Sequence, residues 1–222
     1  MDRKKFDHVK LLVGWPIYII LFMITERIPP ERCHVVHCVL DDMIPFNEYF
    51  AIFYYGWYAL VAVSLFYFLL YDAKRFKELQ IFIIITQVLA LSIYFIYPTM
   101  QTGRPDVLGD NIFCDLMRFM YSVDTPTGVC PSLHVAYSLG VVSVWLKRKN
   151  TSFWIKSFVV CFSIMVCISV VFVKQHSVID VVMGIGISVV AECIVYTKWH
   201  RAMARLFRMK YSRVGFLPNM FR

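Results

Sequence analysis

The chain alternates long apolar runs with shorter polar joins. Six runs approach the roughly 20 residues that cross a bilayer as a helix. They cover about 10–27, 48–71, 78–97, 132–147, 153–174 and 177–197, and the fourth is the shortest. The runs are continuous instead of alternating with period two, and an open sheet edge cannot face lipid. The pattern therefore predicts an all-α polytopic membrane bundle of six transmembrane helices, built as one domain over residues 1–222.

Two joins are long, one from Ile28 to Asn47 and one from Pro98 to Pro131. Joins of that length inside a compact domain are usually functional or disordered. The second carries Ile112, Phe113, Leu116, Met117, Phe119 and Met120 at near-helical spacing. That predicts a short interfacial helix over about 110–120, followed by the turn Thr125-Pro126-Thr127-Gly128.

Composition agrees with the pattern. At 59% hydrophobic and 17% aromatic residues, the chain is too apolar for an ordinary soluble domain. The basic start MDRKK is followed by a run of spanning length with no small-residue cleavage site, so the first run reads as a helix and not as a removed signal.

The charge sets an orientation. Under six spans, one side collects Arg3, Lys4, Lys5 and Lys10, then Lys74, Arg75 and Lys77, then Lys147, Arg148, Lys149 and Lys156. The tail from Lys198 to Arg222 adds seven more Lys and Arg on that side. The other side holds Arg27, Arg32, Arg104, Arg118 and Lys174 among the acids Glu31, Asp41, Asp42, Asp106, Asp110, Asp115 and Asp124. By the positive-inside rule both termini are expected in the cytoplasm. The net charge of +8 then reflects topology and anionic lipid, with no nucleic-acid partner expected. The segment Lys198 to Arg213 reads as a topology anchor, with a short amphipathic surface helix as the alternative.

The unusual polar residues gather on the outer side. Arg104 opens the long join, Ser132 and His134 close it in Pro131-Ser132-Leu133-His134, and Lys174, His176 and Asp180 mark the junction of the last two runs. Taken singly, a His at a helix start, a Lys at a helix end and a loop Arg each have a bland reading as cap, snorkel and ion-pair partner. Asp180 is harder to dismiss. A carboxylate inside a span needs a partner, and His176 stands four residues before it on the same helical face.

The set has a chemistry. Arg104 and Lys174 suit the oxygens of a phosphate, and Ser132 opens a helix whose N-terminus favours an anion. His176 oriented by Asp180 is a nucleophile or base, and His134 supplies a second acid–base group. Two histidines, two cations and a helix N-terminus describe phosphoryl transfer through a phosphohistidine. This inventory calls for no metal and no cofactor.

The same residues resemble the type 2 phosphatidic acid phosphatase (PAP2) superfamily. Its motifs are Lys-x6-Arg-Pro, Pro-Ser-x-His or a longer form, and Ser-Arg-x5-His-x3-Asp. Here the second is Pro131-Ser132-Leu133-His134, the third keeps Ser169, His176 and Asp180, and the first keeps Arg104-Pro105. The resemblance covers residues from about 78 to 197. Tyr97 stands where the first motif has Lys, Val170 where the third has Arg, and Leu133 where the second usually has Gly. Lys174 is the candidate replacement cation, provided the junction bends to bring it round.

The pattern also resembles a branch that includes inositol phosphorylceramide synthases, as does the stretch from Leu40 to Phe50. The resemblance implies a lipid phosphate substrate at the outer face. His176 is then the nucleophile, Asp180 its orienter and His134 the acid–base group, with Arg104, Ser132 and Lys174 on the phosphate. Water as acceptor makes a phosphatase, and a lipid hydroxyl makes a headgroup transferase. A non-catalytic lipid binder or channel on the same scaffold is the third class, but it predicts loss of His134, His176 or Asp180, and all three are present.

Of seven cysteines, Cys161, Cys167 and Cys193 fall in spans and are expected to pack. Cys33, Cys38, Cys114 and Cys130 fall on the outer side, where disulfides are expected. Cys33 with Cys38 and Cys114 with Cys130 is one of three pairings. In Cys33-His34-Val35-Val36-His37-Cys38, free thiols rank second and a metal site third. Asp41 and Asp42 either reach the headgroup site or serve as N-terminal charges of the next helix.

Overall fold

The computed structural model describes residues 3–106 and 109–196, with side chains described from His8 onward. The tail segment Lys198 to Arg213 lies outside the described residues. The fold is helical. A tight helical lead-in over Arg3–Val13 runs into α1 (Gly14–Thr25), followed by α2 (Val39–Met43), α3 (Ala51–Tyr71), α4 (Ala73–Ile96), α5 (Ile112–Val123), α6 (Leu133–Lys147), α7 (Phe153–Phe172) and α8 (Val178–Tyr196).

Among the described residues, five helical stretches are long and apolar enough to cross a membrane: His8–Thr25, Glu48–Tyr71, Ala73–Ile96, Phe153–Phe172 and Val178–Tyr196. The expected sixth, Leu133–Lys147, is apolar but has only 15 residues. At about 1.5 Å per residue that falls short of the roughly 30 Å hydrocarbon core.

The most apolar stretch of α4 is 50% buried and that of the first span 11% buried, so α4 is central and α1 peripheral. Phe76, Leu79 and Ile83 of α4 meet Tyr137, Val141 and Val144 of α6 in the main core. Polar groups pin the end of the bundle where α3 meets α4 and α6 meets α7. Arg75 donates to the Lys147 carbonyl at 2.6 Å, Arg148 pairs with Asp72 at 3.4 Å, and Lys147 bonds Glu192 of α8.

The opposite end is knitted by backbone. No strand was expected, yet β1 (His34–Val35) pairs in parallel with β2 (Thr99–Met100), and Met100 bridges to Thr127. The Gly128 N–H donates to the Thr99 carbonyl at 2.8 Å from a left-handed φ of 65°, which glycine adopts freely. These segments lie outside the apolar spans, where the loops satisfy their polar backbone against one another.

The α7–α8 corner is a Schellman turn. Lys174 N–H bonds the Val171 carbonyl, Gln175 N–H bonds the Val170 carbonyl, and Lys174 takes the left-handed position at φ 52°. Asp41 of α2 then caps α8 from outside. Its carboxylate accepts from Ser177 Oγ at 2.6 Å, Val178 N–H at 2.8 Å and its own Cys38 N–H at 2.8 Å. Partial burial pushes the Asp41 carboxyl up, but these hydrogen bonds outweigh it and hold the group below its ordinary range. Asp42 instead pairs with His37 on the surface at 2.8 Å.

The expected disulfides are not formed, and all seven cysteines are free. Cys33 is turned to the Pro29 carbonyl of its own turn, Cys38 opens α2, Cys114 is buried on α5, and Cys130 is buried on the loop before α6.

α8 comes close to the start of α6 at Gly184. A Cβ built on Gly184 would lie 2.7 Å from the Ser132 carbonyl oxygen and 3.1 Å from Val135 Cβ. The first obstacle is backbone, so the helices must part to admit it. Gly184→Ala should cost about 1–3 kcal/mol and lower the melting temperature in detergent. Gly186→Ala on the same helix meets nothing within 4 Å and should be silent. Equal melting temperatures for the two variants would refute this packing.

Candidate active site

The Ser132 N–H donates to the Asp180 carbonyl at 3.0 Å, which locks the start of α6 against the first turn of α8. Asp180 itself is 0% exposed. Its Oδ2 accepts from the Ser177 N–H at 2.9 Å and lies 3.2 Å from His176 Nδ1. A carboxylate against Nδ1 holds the Nδ1–H tautomer and leaves the Nε2 lone pair facing out. His176 Nε2 lies 3.4 Å from His134 Nδ1, so three side chains form a relay from Asp180 through His176 to His134. His134 is wedged among rings, with Trp57 at 4.3 Å and Tyr54 at 4.7 Å, and its buried Nε2 has no partner.

Both histidines line a cavity of about 910 Å³. Its walls come from α1 (Trp15, Tyr18, Phe22), α3 (Tyr54, Trp57, Tyr58), α4 (Tyr94) and α6 (Leu133, Tyr137), and α5 contributes Phe119 and Val123. α5 extends the expected interfacial helix to Val123. It starts at Asn111, whose side chain accepts from the Phe113 and Cys114 N–H groups, each at 2.9 Å.

The other four predicted site residues stand behind this wall. Ser132 is fully buried, and its hydroxyl neither caps α6 nor finds a partner. Asp180 is enclosed. Arg104 does not line the cavity. Its terminal nitrogens bond the Asp124 carbonyl at 2.9 Å, the Thr125 carbonyl at 3.2 Å and Gln175 Oε1 at 2.5 Å, with its plane over the Tyr121 ring. Lys174 is also turned away, with Nζ on the carbonyls of Asp41 and Ile44. As a phosphate ligand and replacement cation Lys174 is corrected: the Schellman turn aims it at the 41–44 loop.

Two positions where the chain differs from the pattern it resembles are taken up by packing. Val170 is 0% exposed among Ala51, Tyr54 and Met117, a place with no room for an Arg. Tyr97 stacks on His34 at 4.0 Å, away from the cavity.

Sequence reasoning missed the acids of the cavity. Asp124 and Glu26 both line it, with Thr125, Thr127 and Gln175. Glu26 accepts from Thr125 Oγ1 at 3.2 Å, and Asp124 accepts from Gln175 Nε2 at 2.8 Å. Gln175 Nε2 also reaches Tyr54 Oη at 3.2 Å. Burial raises the Asp124 carboxyl above its ordinary value, against the pull of Arg104 and His176, and burial with the neighbouring Asp124 charge raises Glu26. Burial lowers Arg104 against the attraction of Asp124. The available signal was an acid at the end of an apolar run, the argument that singled out Asp180.

No family model, curated protein or solved structure matches the chain.

A carboxyl raised on folding binds its proton more tightly in the native state, so its ionisation weakens folding as pH rises above the ordinary Asp range. Asp124→Asn removes that cost. It should raise the melting temperature by a few degrees at pH 8, with the gain shrinking to nothing towards pH 4. A variant less stable than wild type at pH 8 would show that the carboxylate is stabilised by Arg104 instead.

Proposed function

We propose that the chain is a membrane enzyme of the PAP2 type that hydrolyses a lipid phosphomonoester or diphosphate through a phosphohistidine on His176. The observation that carries this reading is the Asp180–His176–His134 relay on the wall of a cavity walled by apolar helices. His176 Nε2 attacks phosphorus in line, and the bond to the leaving lipid oxygen breaks. His134 gives that oxygen a proton, then takes one from the water that hydrolyses the phosphohistidine. Asp180 keeps the ring in its tautomer and offsets the charge that develops on it. The uncapped start of α6 offers N–H groups to the phosphoryl oxygens. Arg104, whose buried Nε has no hydrogen-bond partner, is the cation that joins them.

Under this reading Leu133–Lys147 completes a bundle of six spans, both termini lie on the cytoplasmic side, and the site opens at the outer face. In a bacterium that is the plasma membrane. Lipid tails enter between α1 and α3, whose aromatic and aliphatic side chains form the cavity's sides.

A second reading, transfer of a phospho-headgroup to a lipid alcohol, is favoured by a separate observation. The cavity is lined by Glu26 and Asp124, while Arg104 and Lys174 are engaged elsewhere. A dianionic phosphomonoester gains least in such surroundings.

The test is phosphate release from a panel of lipid phosphates in detergent micelles, with and without added diacylglycerol or ceramide. His176→Ala should reduce turnover by about a thousandfold or more while folding and inserting normally. Turnover should persist in excess chelator. Normal activity in His176→Ala would refute the phosphohistidine. A new phospholipid formed only with added alcohol would select transfer over hydrolysis.

A further inference from the structure

The corner that carries His176 is held from outside the cavity. Lys174 sits at a left-handed φ of 52°, which costs energy for a residue with a side chain. Such a position persists where its surroundings fix it. The segment 38–47 does that here, clasping the corner from both sides. The Lys174 ammonium donates to the carbonyls of Asp41 and Ile44. The Asn47 N–H donates to the Phe172 carbonyl at 3.0 Å, at the end of α7. The Asp41 carboxylate takes the Ser177 hydroxyl on Oδ2 at 2.6 Å and the Val178 N–H on Oδ1 at 2.8 Å, at the start of α8.

Ser177 passes this hold on to the relay. Its hydroxyl gives its proton to Asp41, which leaves the oxygen to accept from the Ile179 N–H at 3.1 Å. Its own N–H donates to Asp180 Oδ2 at 2.9 Å, the same oxygen that meets His176 Nδ1 at 3.2 Å. Ser177 and Asp180 therefore form a capping box on α8, and the acid of the box is also the group that orients the histidine. Asp180 Oδ1 is buried without a hydrogen-bond partner, so the contacts of Oδ2 set where the carboxylate points. Ser177 and Asp180 are both buried, and water does not compete for these groups.

We propose that Asp41 is a positioning residue for the reaction: through Ser177 it fixes the Asp180 carboxylate against His176 Nδ1 and so keeps His176 Nε2 aimed into the cavity. This rests on the relay being a phosphoryl-transfer site. Asp41 does not line the cavity and acts at one remove from the reacting atoms. Its loss therefore lowers the rate of the step and leaves substrate binding as it was.

Asp41→Asn is the sharpest variant, because it keeps the size and removes one acceptor. An amide nitrogen in the place of Oδ2 cannot accept from the Ser177 hydroxyl and the Cys38 N–H, which both donate there. With the amide flipped, the Val178 N–H loses its acceptor instead.

The experiment reads geometry and turnover separately. Isotope-labelled histidine gives the ring-nitrogen NMR signals of the full chain in detergent micelles, with the His176 signals assigned by their loss in His176→Ala. Wild type should show His176 as the Nδ1–H tautomer. Asp41→Asn should show a mixture of tautomers, with kcat on lipid phosphates down about tenfold to a hundredfold and KM unchanged. Asp42→Asn makes the same change one residue on, where the carboxylate pairs with His37 at the surface, and should alter none of these. Should Asp41→Asn fail to fold, Lys174→Met frees the same segment from the other side and is read in its place, with the same expected result. An unaltered His176 tautomer in the folded variant would overturn the proposal, and so would unaltered kcat in active protein. If wild type turns over no lipid phosphate, a tautomer shift in Asp41→Asn still upholds the hold of Asp41 on His176 and removes only the chemistry.

Discussion

Asp180 is the constraint on which the histidine-bearing end of the bundle depends. Its carboxylate has no exposed surface, so it must be satisfied by protein. The Ser177 N–H and the His176 ring meet Oδ2 from the preceding turn while Oδ1 is buried without a hydrogen-bond partner, and the Asp180 carbonyl holds the Ser132 N–H at the start of α6. One residue thus fixes a histidine's tautomer and the contact between two helix starts. Gly184, one turn further along α8, leaves room for the Ser132 carbonyl and lets the helices come this close. His134, two residues beyond Ser132, is thereby brought to His176.

Around that core the structure separates the charges from where a simple inventory would put them. Lys174 occupies the left-handed position of a Schellman turn, and its direction follows from the backbone there. Its ammonium braces the 41–44 loop, and Asp41 of that loop caps α8 in return. Arg104 organises the Asp124–Thr125 turn and Gln175. Both cations build the site from behind. The surface left to a ligand is aromatic and acidic, and this feature separates the proposed substrate classes.

The peripheral placement of α1 matters for the same reason. It packs on α4 and presents Trp15, Tyr18 and Phe22 to the cavity, while its far face carries Ile17, Ile20 and Ile24 outward. α5 roofs the space, burying Met117 and Met120 and exposing Ile112, Phe119 and Val123. A cavity bounded by two such elements suits a ligand that arrives from lipid.

Much of the fold was legible in the sequence. Apolar runs of spanning length must form helices, because lipid offers the backbone no partner. The interfacial helix was legible from its spacing, and the pairing of His176 with Asp180 from four residues of helix and the cost of a lone buried carboxylate. What sequence alone could not decide was where long side chains end. Lys174 and Arg104 read as phosphate ligands because they lie near the histidines in the chain, yet a turn's handedness and a set of loop carbonyls claim them. The cysteines of the two long joins read as disulfides, but all four are free. Glu26 and Asp124 lie 98 positions apart, and only the packing of α1 beneath the loop that follows α5 brings them to one cavity. Local pattern is set by what each residue requires of its neighbours in the chain. The composition of a cavity is set by contacts between distant segments, which the pattern does not encode.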